Sequence, residues 1–466
     1  MTEKPAIENH KAIDLPSRGE AKIRCFTGEA LLPDEDSKRQ LEDYAAKPGV
    51  KDYVTVLPDV HYKSRNPAPS GTVAITEGYI YPRAVDDGIN CGMRSMATSL
   101  MAKDLTPEIL DEIFGRLVKS VPLKKHEEPL ISEEDCEEML VHGLEKLVEP
   151  LGLPPDELKR TENHGKVDLG LDAKTVRASL PRKPIGKYRS SVGSLGAGNH
   201  FLEMQEIVEI CDPVAAERLG LQLGQAMFMM HSDSRKLGKR ILAPVHEEAE
   251  EAYRPQGTNE LFGIPVDTDI GQRYLGALTA ATNAGFANRA AITHIVRQTM
   301  QDVLGDPNLE IRLVGDSAHE TILPEEHNGR TVWVHRHGAN LVLPPSDEVR
   351  DPELADLGEP VPLAGCPGMD SYLCLPLPGV GQTFNSSPHG AGRVMSKAEA
   401  AETFVPEEVE EDIRGRGVRL YRYHTDNIAG QSPVSFKDVA SVMDTMVDLD
   451  VLRPVVRLRP IAVLKG

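Results

Sequence analysis

Four separated segments of this chain each bring a histidine up against small residues. They are Gly196-Ala197-Gly198-Asn199-His200, Met230-His231-Ser232-Asp233, Ser317-Ala318-His319-Glu320 and Ser387-Pro388-His389-Gly390-Ala391-Gly392. Cys91 joins them from Ile89-Asn90-Cys91-Gly92. Three of the four histidines follow or precede an expected strand. In a mixed α/β or α+β fold such positions meet at one edge of a sheet, where functional side chains collect. A thiolate, imidazoles and carboxylates together suit a borderline divalent ion. Zinc is the default for a Cys/His set, with manganese, iron and cobalt open.

The segment Asn385–Lys397 carries the most chemistry. His389 stands directly before Gly390-Ala391-Gly392 and Arg393. Small residues let backbone N–H groups approach an anion closely. Arg393 adds a planar, permanently charged fork suited to phosphate oxygens. By itself the segment reads as a histidine that attacks phosphorus, a metal ligand beside a phosphate, or a Gly-rich turn with a capping histidine. Asp86, Asp87, Asn90 and Cys91 crowd oxygen and sulfur donors into six positions. They read as part of a metal site or as an acidic turn before a buried cysteine. Glu203 shares a strand face with Phe201, by the two-residue period.

Strands are expected at 51–57, 72–76, 226–230, 309–314, 331–337 and 372–375, and helices at 33–46, 105–118, 133–148, 267–304 and 397–414. Residues 150–184 are charged and rich in glycine and proline. They read as an insertion or loose connection within one domain spanning 1–466. No apolar run approaches the roughly 18–20 residues that span a bilayer. The charged N-terminus does not look like a secretory signal. The six cysteines are scattered without a CxxC, which points to reduced thiols and a cytoplasmic setting. A net charge of -20 disfavours broad nucleic-acid binding, so any such role needs a local basic cleft.

Taken in order, these pieces resemble the RNA-splicing ligase RtcB family. The matching stretches are PDVH at 58–61, INCGMR at 89–94, GAGNHFLE at 196–203, HSDSRKLG at 231–238, ANR at 287–289, VHRHGA at 334–339, HGAGRVMSK at 389–397 and LRPIAVLKG at 458–466. The resemblance implies a single compact α+β domain, with mixed and antiparallel sheets among helices and a central active-site cleft. It implies a GTP-dependent ligase that joins an RNA 3′-phosphate or 2′,3′-cyclic phosphate to a 5′-hydroxyl. His389 would be the guanylylated residue. Cys91, His200, His231 and His319 would hold two Mn²⁺ ions, with Asp87 as the nearest carboxylate. Asn199, Glu203, Ser371, Tyr372, Gly390, Ala391, Gly392, Arg393 and Lys465 would contact the nucleotide. Arg189, Arg235 and Arg289 are the expected RNA contacts.

The chain also departs from the family pattern. The aspartate expected three residues before the metal cysteine is Gly88, and the glycine of the HSGSR-like motif is Asp233. Glu320 stands where the family usually has asparagine, and Phe436 where it has tyrosine. Two alternatives to ligation therefore stay open. One is an Mn-dependent guanylyltransferase that caps 3′-phosphate ends without sealing them. The other is a nucleotide- or metal-binding regulator without turnover.

Overall fold

The run Ala226-Met227-Phe228-Met229-Met230 is apolar on both faces of an extended chain, which requires cover on both sides. It forms the strand Gln225–Ser232, buried at every position. A computed structural model describes residues 12–346, 348–423 and 428–466 of the chain. In it this strand lies inside an eight-stranded sheet. The order is Ile311–Ala318, Gly92–Met101, Gln225–Ser232, Phe201–Ile210, Leu452–Lys465, Ser371–Pro376 and Val361–Leu363. The eighth strand, Arg419–Arg422, runs parallel to Leu452–Lys465, and the other pairings are antiparallel. Met96, Met204, Phe228 and Met230 face one core layer, which the helix Pro107–Ser120 and part of the helix Asp269–Leu304 close. Met93, Met227, Met229 and Leu373 face the other.

Antiparallel neighbours alternate in direction, so one edge of the sheet carries strand ends and strand starts in turn. Ala318 lies opposite Gly92, Gly92 opposite Ser232, His231 opposite Phe201, and Phe201 opposite Lys465. That register sets His319, Cys91, His231, His200 and Lys465 along a single edge.

A second sheet of six strands runs in the order Ile13–Leu15, Lys22–Cys25, Val50–His61, Ser70–Thr76, Arg330–His337 and Glu320–His327. The last two form a hairpin that turns at Asn328-Gly329, both at positive φ (54° and 72°), as the tightest hairpin turns require. A two-stranded pair, Ala339–Leu341 with Ser386–Pro388, carries the chain to His389. His389 therefore approaches that edge from outside the large sheet.

The helix Asp269–Leu304 is 36 residues long and starts at Thr268, whose side chain accepts from the Gly271 N–H. Its central residues are buried almost all round, because it is packed between the large sheet and the helix Arg235–Tyr253. The expected acidic helix over 397–414 is two helices, Lys397–Thr403 and Pro406–Gly415. Pro406 has no N–H to give a preceding turn and starts a new helix instead. The 150–184 stretch is built of short helices and turns, and its Leu151, Leu153, Val167, Leu169 and Val176 are buried in the main helical core. No described helix is long and apolar enough to cross a membrane.

Candidate active site

Cys91, His231 and His319 converge, with their donor atoms all within 4.8 Å of one another. Cys91 Sγ lies 3.1 Å from His231 Nε2, and His231 Nε2 lies 3.0 Å from His319 Nε2. His200 Nε2 adds a fourth donor, 3.4 Å from the same sulfur. All four side chains are buried. Burial pushes the His200 imidazole down to about 4 and holds those of His231 and His319 well below their usual value. The rings are therefore neutral at pH 7 and keep their lone pairs. Burial also raises the Cys91 thiol, so its ionisation calls for a cation in contact with it. Inward-facing lone pairs on a soft thiol and neutral imidazoles fit a divalent ion.

His389 stands next to this set, its ring 4.6 Å from that of His319. Its Nδ1 lies 2.8 Å from Asp59 Oδ2 and 2.8 Å from the Gly338 carbonyl oxygen. Both are acceptors, so Nδ1 carries the hydrogen and Nε2 keeps a free lone pair. The His389 backbone N–H also donates to Asp59 Oδ2, at 3.2 Å. Gly392, at φ 72°, lets the loop close over this pair. A Cβ there would sit 2.3 Å from the Asp59 carbonyl oxygen. Glu320 contributes at one remove. Its two oxygens accept from the N–H groups of Gly338 and Asp86, and so tie down Gly338, whose carbonyl holds His389.

The residues expected to contact a nucleotide divide into two groups. Asn199, Gly390, Ala391, Gly392, Arg393 and Lys465 line one pocket together with His389, His231 and Phe436. Arg393 lies over the Phe436 ring at 4.2 Å and donates to the Gly430 carbonyl and to Asn199 Oδ1. Lys465 Nζ donates to the His200 carbonyl. Glu203 lies behind this pocket, its carboxyl pushed up to about 8 by burial and its Oε1 accepting from Gln205. Ser371 Oγ joins the same network through Gln205, at 3.3 Å, and accepts from the Gly365 N–H. Tyr372 does not join them. One residue along the strand, it points to the opposite face and packs with the cluster of Val442 and Met443.

Other expected residues are placed differently. Asp87 is turned outward, its side chain 76% exposed and paired with Lys239, so it does not face the cysteine and histidines. Arg289 is fully buried and cannot meet RNA. It holds Asp316 through two nitrogens and donates to the Asn90 carbonyl, directly before Cys91. Arg235 is largely buried against Asp233. Arg189 is partly exposed and lies beside Glu133. Neither lines the cleft of about 1130 Å³ beside the site, whose basic residues are Lys63, Arg65, Arg83, Lys239, Arg393 and Lys397.

Two functional residues were hidden from sequence reasoning. Asp59 lies in the quoted PDVH stretch, but nothing local ties it to a histidine 330 positions away. Asn288 fastens two chain segments to each other. Its Oδ1 accepts from the Gly193 and Ser194 N–H groups, and its Nδ2 donates to Ser232 Oγ and the Asp233 carbonyl. Its signals are a polar residue within a long apolar helical run and its place in the ANR stretch at 287–289.

Comparison with known proteins agrees with this geometry. The family model described as tRNA-splicing ligase RtcB matches residues 40–466. A tRNA-splicing ligase RtcB from Methanococcus maripaludis is 31% identical over 447 residues, 93% of this chain and 92% of that protein. One from Pyrobaculum aerophilum is 31% identical over 465 residues, 95% of this chain and 94% of that one. An RNA-splicing ligase RtcB from Mycobacterium bovis is 32% identical over 442 residues, 92% of this chain and all of its own length. The chain belongs to the RtcB family.

Proposed function

We propose that this chain is an RNA ligase that joins 3′-phosphate or 2′,3′-cyclic phosphate ends to 5′-hydroxyl ends through a covalent His389–GMP intermediate, using GTP and Mn²⁺. The observation that carries the reading is the His389 tautomer. Asp59 and the Gly338 carbonyl take up Nδ1–H, leaving Nε2 nucleophilic beside a set of metal donors. Cys91, His231 and His319 would hold an ion there, and it would supply Lewis-acid polarisation of the α-phosphate.

Nε2 attacks the α-phosphorus of GTP. The N–P bond forms as the bond to the β-phosphate oxygen breaks, and pyrophosphate leaves. The imidazole then carries positive charge, which the Asp59 carboxylate stabilises through Nδ1–H. Arg393 and the Gly390–Gly392 backbone hold the phosphate oxygens. An oxygen of the RNA 3′-phosphate next displaces His389 and takes the GMP. The RNA 5′-hydroxyl attacks that activated phosphate, losing its proton, and GMP departs. A cyclic end is first opened by water. RNA would approach through the adjoining cleft, where six lysines and arginines stand among seven carboxylates, and its phosphate contacts would give salt-sensitive and largely sequence-independent affinity.

The test is incubation with GTP labelled on the α-phosphate and Mn²⁺, followed by denaturing electrophoresis. Acid-labile label on the wild type and none on His389→Ala is the expected result. No label with any divalent ion would sink the mechanism. Label without joined RNA would instead favour the capping reaction.

A further inference from the structure

The sequence departs from the family pattern at Gly88 and at Asp233, 145 positions apart. The structure brings the two together. A Cβ built on Gly88 would stand 2.9 Å from Asp233 Oδ2 and 3.4 Å from the Asp233 Cβ. The Asp233 side chain therefore occupies the space into which a side chain at 88 would project. Gly88 caps the turn that leads into Cys91, whose N–H donates to the Gly88 carbonyl at 2.8 Å.

The two oxygens of Asp233 are not equivalent. Oδ1 accepts from the Arg235 N–H and from its guanidinium, both at 2.7 Å. Oδ2 is the oxygen turned to the metal edge, 3.9 Å from His200 Nε2. His200 Nε2 is in turn 3.4 Å from Cys91 Sγ. Cys91 thus has the His231–His319 pair on one side and the His200–Asp233 pair on the other. The other nearby carboxylates are engaged. Both oxygens of Glu320 accept backbone N–H groups, Asp86 pairs with Lys63, Asp87 faces solvent on Lys239, and Asp59 holds His389.

We infer that Asp233 is the carboxylate ligand of a second metal ion, bound with His200 and shared Cys91, and that it does from position 233 what a residue at 88 would otherwise do. The inference rests on the two-ion reading above. Arg235 positions the ligand, since it fixes Oδ1 and leaves Oδ2 for the cation. A hard oxygen donor beside thiolate and imidazole also suits Mn²⁺ better than a Cys/His set alone.

Metal binding to the full-length, metal-stripped chain tests this without reference to activity. Mn²⁺ is titrated by calorimetry, and bound ions are counted after dialysis. The wild type is expected to take two. Asp233→Asn keeps an acceptor for the Arg235 N–H, and it presents an amide N–H₂ where Oδ2 stood. It should retain one ion and bind the other at least about 100-fold more weakly, the upper range for lost outer partners. Gly88 lies outside the positive-φ region, so an aspartate fits its backbone once the space is cleared. The double variant Gly88→Asp/Asp233→Gly should regain two ions. Unchanged binding of two ions by Asp233→Asn overturns the inference. So does a loss that the double variant fails to restore, because Asp233 would then act through the Arg235 loop alone. A wild type that binds fewer than two ions fails the two-ion reading itself, a separate outcome.

Discussion

The His389–Asp59 contact is the smallest unit on which the proposed chemistry depends. A neutral imidazole can present either nitrogen, and only the partners of Nδ1 decide which. Asp59 is wholly buried, so its charge acts on the ring with little screening. Asp59→Asn keeps an oxygen near the ring but removes the charge that stabilises the phosphorylated imidazole. The labelling rate is expected to fall by about 10⁴-fold, the order seen when a carboxylate that orients a catalytic histidine is neutralised. Mn²⁺ stoichiometry should not change, because Asp59 bonds to His389 and is not among the clustered donors. A rate within tenfold of wild type would leave the Gly338 carbonyl as the sole orienting group.

At the scale of elements, the helix Asp269–Leu304 acts as a backplate for the metal edge. Asn288 ties down the segments before His200 and after His231, while Arg289 and Arg94 clamp Asp316 under the strand that starts at Gly92. Arg289, Arg94 and Asp316 are buried together, so removing one charge leaves another uncompensated. Arg289→Met is expected to cost about 3–5 kcal/mol, read as a fall in the denaturant midpoint. RNA affinity per folded molecule should not change, which separates this buried role from the RNA contact expected from sequence.

For the whole molecule, the buried ionisable groups set how stability follows pH. Burial raises Glu203 to about 8 and Glu162 to about 7. Each is protonated in the folded chain at pH 6 but ionised once unfolded. The folded state therefore holds more protons, and stability falls as pH rises. That loss starts near the ordinary carboxyl value and is complete above the folded values. The buried histidines act in the opposite sense, since acid favours the unfolded chain below about pH 6.5. In metal-free protein, the decline in unfolding free energy between pH 6 and 8, read from urea titrations, should be smaller for Glu203→Gln than for wild type, by on the order of a few kcal/mol. An identical decline in both would mean that Glu203 is already ionised near neutrality.

The linear sequence determined the donors, the fold class and most of the elements. Histidines beside small residues, strand periodicity and the long helical run are local patterns, and short-range sterics and burial alone write them. The Gly-rich loop that follows His389 was legible for the same reason. Local pattern also misled where two faces look alike. Ser371 and Tyr372 are adjacent, yet only Ser371 joins the Gln205–Glu203 network behind the pocket. Asp86, Asp87 and Asp233 are equivalent acids until the fold turns Asp87 to solvent and Asp233 toward His200. Arg289 reads as an RNA contact until its helix is seen inside the core. Only the tertiary structure decided these, because the direction of a side chain and the charge facing it come from segments distant in the chain. The 330-residue reach from Asp59 to His389 exists only once separate sheets have packed, and the meeting of Gly88 with Asp233 only once the strands Gly92–Met101 and Gln225–Ser232 have paired.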